Sequence, residues 1–272
     1  MPTTPTEDPD FLALKRYIES TLKMQCSNYK VEYIKRRLSS RMRSTGKETF
    51  GQYLAYLRAT PDELEPLKKA LTIHVTEFFR DFDVFEAIRT TVIPDIIKER
   101  TRIRIWSAGC STGEEPYSLA MILYDFMQKN RDVNCIIYAT DIDEPTLEKA
   151  KEGIYDPKAL QKMTESQIRK HFVQLPSGMY QAKPHLKELI RFRKHDLMSG
   201  VPVARFLDMV TCRNVTIYFN ESQKNELAKL FSEALTPGGF YVMGKTEYLA
   251  KEVEHLFTSY NSTQKIFTKP RQ

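Results

Sequence analysis

A parallel α/β domain preceded by an all-helical one is the fold class that the sequence predicts. Three observations carry it. Apolar residues recur only at helical spacing up to about residue 85. From about residue 102, short strands rich in β-branched residues alternate with amphipathic helices. Between the first strand and its helix lies a glycine-containing turn, where a doubly wound fold binds its ligand. The 272 residues suffice for two modest domains. We divide them into a helical domain over residues 1–85 and an α/β domain over 86–272.

In the helical part, Phe11, Leu14, Tyr17, Ile18 and Leu22 mark one helix, and Val31, Ile34, Leu38 and Met42 form the stripe of a second. Tyr53 to Leu57 and Leu64 to Ile73 continue the pattern, the latter opened by Pro61-Asp62-Glu63. Lys30, Arg37 and Arg41 lie along a face beside the second stripe. From Tyr29 to Arg43, six basic residues stand against the single acid Glu32. Such a face suits nucleic acid, an anionic membrane surface or an acidic protein.

In the α/β part, strands are predicted at Ile103–Ser107, Asn134–Thr140, Phe206–Cys212 and Phe240–Gly244, with a strand-like stretch over Thr258–Thr268. Helices are predicted from Pro116, over Glu144–Glu152 and over Glu221–Leu235. The alternation lapses over about 155–195. A polar helical stretch (Thr164–Phe172) and short strands around Pro176-Ser177-Gly178 read there as an inserted β-subdomain.

Hydrophobic residues at 41% and charged residues at 28% exclude a disordered chain. No apolar run approaches the ~18 residues of a membrane span, and Met1 to Asp10 lacks the pattern of an export signal. Cys26, Cys110, Cys135 and Cys212 fall in no metal-ligand spacing. We expect a cytoplasmic protein with buried thiols and no metal, and nothing demands more than a monomer.

Four stretches carry candidate chemistry. Ser107 to Ser118 follows the first strand, and its glycine spacing is not Gly-x-Gly-x-x-Gly. Glu114 and Glu115 put negative charge where a pyrophosphate would sit, which disfavours a dinucleotide. A cationic cofactor such as S-adenosylmethionine suits these acids, which would otherwise serve only to stabilise a helix N-terminus. Asp141, ending the second strand, is placed to accept hydrogen bonds from ribose hydroxyls, with Asp143 near a helix cap. Arg213-Asn214 leaves the third strand at the mouth of the cleft, followed by Tyr218. In Thr72 to Arg80, Phe78 and Phe79 read as core residues, Thr76 and Arg80 as cleft residues, and His74 as structural.

Over nearly its whole length the chain resembles the CheR-type chemotaxis receptor methyltransferases. The resemblance rests on Val75-Thr-Glu-Phe-Phe-Arg80, Trp106-Ser-Ala-Gly-Cys-Ser-Thr-Gly-Glu-Glu-Pro-Tyr-Ser118, Ala139-Thr-Asp-Ile-Asp143, Cys212-Arg-Asn-Val-Thr-Ile-Tyr-Phe219 and Pro237-Gly-Gly-Phe240. It implies a Rossmann-like methyltransferase domain with a small inserted β-subdomain. The implied reaction transfers a methyl group from S-adenosylmethionine to glutamate side chains of chemoreceptors, leaving S-adenosylhomocysteine.

The resemblance also implies that Thr76, Arg80, Glu115, Asp141, Arg213 and Asn214 contact the cofactor, with Asp196-Leu197 on its adenine side. Tyr218 stands near the transferred methyl and Arg80 near the reacting groups. Lys30, Arg37 and Arg41 face the acidic methylation helices of the receptor, so the membrane is met only through that partner. Nucleic acid is not an expected substrate, since only Tyr29 and Tyr33 offer stacking surfaces; a non-catalytic adaptor is the rival of another class.

Three departures from the family pattern stand out. His74 replaces a frequent asparagine. Gly244-Lys245-Thr246-Glu247 replaces Gly-His-Ser-Glu and is assigned no role. The turn at 176–178 is short, which predicts action independent of a receptor tail.

Overall fold

The computed structural model describes residues 8–22, 24–71 and 76–271. Contacts divide the chain into two units, residues 1–73 with 218–220, and residues 74–217 with 221–272.

The first unit is helical. Helix α1 (Pro9–Leu22) buries Phe11, Leu14 and Ile18, and α2 (Val31–Ser44) buries Tyr33, Ile34, Leu38 and Met42. Helix α3 (Phe50–Ala59) is capped by Thr49, whose hydroxyl accepts from the Gln52 N–H at 3.2 Å. A 3₁₀ turn (Pro61–Glu63) leads into α4 (Leu64–Leu71), which buries Leu67 and Leu71. These side chains form one apolar core, as the helical spacing predicts.

The second unit opens with α5 (Phe82–Ala87), a π turn (Ile88–Val92) and α6 (Ile93–Glu99). Phe78, Phe79, Val84, Phe85, Ile88, Val92 and Ile93 are all buried in this unit's core. The division therefore falls at 73/74 rather than at 85/86. Helical periodicity shows that a segment has an apolar face but not which core receives it.

Strand β1 (Arg102–Ala108), helix α7 (Glu114–Lys129), β2 (Asn134–Asp141) and α8 (Glu144–Glu152) follow in alternation. Then come β3 (Ile154–Tyr155), α9 (Glu165–His171), β4 (Phe172–Gln174), β5 (Tyr180–Ala182), α10 (Pro184–Lys187) and β6 (Ile190–Lys194). The chain ends with β7 (Leu207–Cys212), α11 (Glu221–Ala234), β8 (Leu235–Met243), α12 (Lys251–Glu254) and the hairpin β9 (Thr258–Asn261) and β10 (Ile266–Thr268).

Seven strands make one sheet in the order β6-β2-β1-β7-β8-β10-β9. The first five are mutually parallel, and β10 runs antiparallel to β8. The order reverses at β1, so the cleft of this fold lies at the carboxyl ends of β1, β2 and β7. A separate three-stranded antiparallel sheet, β3-β5-β4, is the inserted β-subdomain. Its strands end at Ala182, and β6 pairs with β2 in the main sheet. The insertion expected to reach 195 is thus shorter. Arg191 and Arg193 are exposed on the uncovered face of this edge strand.

Candidate active site

The turn after β1 is built from main-chain hydrogen bonds. The Gly109 and Cys110 N–H groups each donate to the Thr140 carbonyl at 2.8 Å, tying the turn to the end of β2. Gly109 has a φ of +79°, and a Cβ there would lie 2.6 Å from Val215 Cγ2. Only glycine fits this approach. Ser111, at φ 50°, donates its N–H to Asp141 Oδ2 at 2.9 Å, while Asp141 Oδ1 accepts from the Asp143 N–H at 3.0 Å. Asp143 precedes α8 and holds the Thr146 hydroxyl at 2.6 Å instead of capping a main-chain N–H.

The two glutamates at the start of α7 have different surroundings. Glu114 is buried, holds the Thr112 hydroxyl at 2.7 Å, and has its pKa raised by burial. The Glu115 carboxylate accepts from Ser107 Oγ at 2.8 Å, Thr211 Oγ1 at 2.6 Å and Arg213 Nη1 at 3.3 Å. It therefore joins the ends of β1, α7 and β7.

Arg213 is the centre of this arrangement. Its side chain is 2% exposed and bridges Glu115 to Asp81, the latter at 2.8 Å. Nη2 also donates to the Arg80 carbonyl at 2.7 Å, and the guanidinium lies 5.1 Å from the Phe85 ring centroid. The Phe79–Asp81 turn, with Phe79 at φ 52° and Asp81 at φ 54°, is fixed at both ends. The Phe79 N–H donates to Ser118 Oγ on α7 at 3.0 Å. Arg80 and Thr76 are half-buried, and Phe78 and Phe79 are core residues as expected. His74 lies outside the described residues.

Asn214 also has a left-handed backbone, at φ 60°. The reason is Glu247, which was assigned no role from sequence. Its carboxylate, 3% exposed, accepts the N–H groups of Asn214 (2.9 Å), Val215 (3.1 Å), Thr216 (2.8 Å) and Gly244 (2.6 Å), and the Thr216 hydroxyl (2.6 Å). Gly244 is required by the same contact, since a Cβ there would sit 2.5 Å from Glu247 Oε2. The sequence signal was a glutamate three residues beyond the glycine that follows β8, in the place that the family's Gly-His-Ser-Glu also gives to glutamate.

Asp196 follows β6, and its carboxylate caps the Met198 N–H at 2.8 Å, with Leu197 half-buried beside it. The His195 N–H donates to the Asp141 carbonyl at 2.9 Å, which joins this segment to the end of β2. Burial lowers the His195 pKa, and its ring lies edge-on to Trp106 at 5.5 Å. The structure thus gathers Arg80, Glu115, Asp141, Asp196, Leu197, Arg213 and Asn214 around the carboxyl ends of four neighbouring strands.

Tyr218 belongs to the helical unit. Its ring is 4.9 Å from that of Tyr33, and its carbonyl accepts the Lys30 N–H at 3.0 Å. In the same unit Lys30 is exposed, whereas the Arg37 guanidinium lies over the Tyr33 ring at 5.6 Å. Arg41 does not serve an open basic face. It binds the buried Glu63 through two hydrogen bonds of 2.9 and 2.7 Å, and Tyr53 donates to the same carboxylate at 2.8 Å.

The donor set fits a cationic cofactor. Two carboxylates, Asp81 and Glu115, face one guanidinium, and Asn214 Oδ1 is a buried acceptor with no partner among the described residues. Cys110 and Cys212 are buried, and burial raises both thiols well above their usual range. No described helix is long and apolar enough to cross a membrane.

A seven-stranded sheet reversing at β1, with carboxylates gathered at the carboxyl ends of its strands, agrees with the class that the family comparison shows, an S-adenosylmethionine-dependent methyltransferase. Residues 74–266 match the family described as "CheR methyltransferase, SAM binding domain", and residues 9–72 match "CheR methyltransferase, all-alpha domain". The chain belongs to the CheR methyltransferase family.

Among curated relatives, "Chemotaxis protein methyltransferase 2" of Vibrio cholerae is 32% identical, over 90% of this chain and 87% of its own length. The chemotaxis protein methyltransferase of Borreliella burgdorferi is 33% identical, over 89% and 90% respectively. That of Listeria monocytogenes is 31% identical, over 95% and 97%.

Proposed function

We propose that this methyltransferase esterifies glutamate side chains of chemoreceptors, forming methyl esters in sensory adaptation. The observation that carries the reading is the match to both family domains, together with relatives named as chemotaxis protein methyltransferases. The chemistry agrees. A glutamate carboxylate, with an ordinary pKa of ~4.3, is already ionised at neutral pH and needs no base. An O–CH₃ bond forms, an S–CH₃ bond breaks, and no proton moves.

When bound, S-adenosylmethionine supplies an activated methyl group on a sulfonium. The protein's part is to hold and align, which can contribute up to ~7–11 kcal/mol. In our reading Asp141 accepts the ribose hydroxyls, and Asp196 and Leu197 flank the adenine. Thr76, Glu115 and the free acceptor of Asn214 face the amino-acid end. Arg213, already committed to Asp81 and Glu115, acts by positioning them and the Arg80 turn. Arg80 orients the substrate carboxylate, Tyr218 offers a neutral hydrogen bond, and Lys30 and Arg37 meet the acidic receptor helix. Arg41 is omitted because it is bound to Glu63.

Transfer of labelled methyl to purified chemoreceptor cytoplasmic fragments, with RNA in parallel, tests the reading. Base-labile label on the receptor is the expected result. Label on RNA alone would overturn it.

A further inference from the structure

Parallel sheets are ordinarily covered on both faces, but one face of this sheet is open near its β6 edge. The connection from β6 to β7 contains a single 3₁₀ turn, Leu197–Ser199, in place of a covering helix. Helix α11 covers Trp106, with Phe231 at 5.3 Å. Strand register puts Trp106 beside Tyr138, Tyr138 beside Arg191, Ile136 beside Arg104 and Thr140 beside Arg193. Arg104, Tyr138, Arg191 and Arg193 therefore share one face. Tyr138 is half-buried, and Arg191 and Arg193 are exposed.

The guanidinium groups of Arg104 and Arg193 each lie 5.7 Å from the Tyr138 ring centroid. Arg104 Nη1 also donates to the Arg205 carbonyl at 2.7 Å, which brings Arg205 and Phe206 to the rim. Phe206 is 71% exposed, and Val201 in the same connection 62%. Among the described residues, Arg104, Arg191, Arg193 and Arg205 form no ion pair. The nearby Asp208 pairs with Arg100, and Glu144 pairs with Lys194.

We propose that this open arginine–tyrosine face is a docking surface for an acidic helical segment of a protein partner. Charge complementarity argues for it, since none of the four guanidinium groups here forms an ion pair among the described residues. The dimensions agree as well. Three strands at ~4.8 Å spacing span about the ~10–12 Å diameter of one helix. Arginines two apart on a strand are ~7 Å apart, close to the ~5–6 Å between glutamates at i and i+4. Planar guanidinium groups held on a ring bind carboxylates with little further loss of freedom. Arginine and tyrosine beside exposed apolar residues match the composition of protein interfaces. A nucleic acid would need a free ring for base stacking, and Tyr138 already carries two guanidinium groups.

The test uses the full chain carrying Lys30→Glu and Arg37→Glu, so that the two residues assigned to acidic-helix recognition on the basic helix do not contribute. The probe is a labelled peptide of roughly 20 residues with glutamates at i and i+4, long enough to form a helix in isolation. Its glutamine counterpart, a single-stranded RNA and phosphatidylglycerol vesicles form the other arms. Arg191→Glu with Arg193→Glu is expected to weaken peptide binding about tenfold or more. The double glutamine variant, kept in case the first fails to fold, should weaken it several-fold. Peptide affinity unchanged within twofold in both variants overturns the proposal. So does RNA or vesicle binding that is tighter than peptide binding and is lost in those variants.

Discussion

Glu247 holds the main-chain N–H of Asn214 at 2.9 Å, in a left-handed conformation that asparagine adopts at a cost. One carboxylate sets the shape of the loop through four N–H groups and a hydroxyl. Glu247→Gln keeps the size but turns an NH₂ group toward N–H donors. Hydrogen bonds to a charged group are each worth about 1.5–3 kcal/mol. We expect cofactor affinity to fall at least about tenfold, with restoration at least in part by Glu247→Asp. Calorimetry with S-adenosylhomocysteine gives the answer, and unchanged affinity in Glu247→Gln would free the loop from this carboxylate.

Arg213 is a buried cation between two carboxylates, and removing one partner of such a set costs about 3–5 kcal/mol. Arg213→Leu should lose stability on that scale in urea unfolding. Arg213→Lys keeps the charge but not the fork of donors, and should retain part of the stability with poor cofactor binding. A lysine variant equal to the parent in both measurements would remove the bridging role.

Tyr218→Phe removes one hydroxyl and keeps the ring against Tyr33. Turnover is expected to fall up to about tenfold, the scale of one neutral hydrogen bond, with cofactor affinity kept. Lost affinity with turnover kept would defeat the assignment.

The basic helix contains two kinds of arginine. Arg41→Ala leaves the buried Glu63 without its guanidinium, and should lower the unfolding midpoint without a specific effect on receptor KM. Lys30→Glu with Arg37→Glu should raise receptor KM several-fold at low salt and less at high salt, because exposed charges are screened. Steady-state kinetics at two salt concentrations distinguish the single variant from the double one. Equal KM for parent and double variant would take the helix out of substrate recognition.

His171 gives stability a pH dependence in a defined window. Burial lowers its pKa from 6.5 to about 4; Asp125 opposes the shift, and His185, Lys170 and Lys183 add to it. Above pH 6.5 the ring is neutral in both folded and unfolded chains and contributes no slope. Between 6.5 and about 4 the unfolded chain takes up the proton first, so stability falls as pH falls, by at most about 1.4 kcal/mol per unit. Urea midpoints of parent and His171→Gln at pH 7.5, 6 and 4.5 should differ in slope only below 6.5; parallel curves would refute this.

Much of the α/β architecture was legible because short apolar strands, Gly109, Gly113 and the acids after β1 and β2 carry their roles in residue type. What escaped depends on partners distant in sequence. Glu63 is 22 residues from Arg41, so a basic stripe at helical spacing could not reveal that Arg41 is taken. Glu247 is 33 residues from Asn214, and Lys245-Thr246 beside it diverted attention from the glutamate. Strand β6 was placed in the insertion because the strand–helix alternation lapses over about 155–195. Arg191 and Arg193 instead occupy the open face of the main sheet.

The return of the chain to the helical unit at Tyr218–Asn220 has a practical consequence for dissection. The unit is discontinuous, so no single cut yields two intact pieces. Phe219 is buried, its ring lies 5.3 Å from Tyr29, and Asn220 donates to the carbonyls of Ser27 and Asn28. A fragment beginning at residue 74 would carry Tyr218 and Phe219 stripped of these neighbours. It should stick to itself at concentrations where the whole chain does not, and a fragment ending at residue 73 would lack part of its own core.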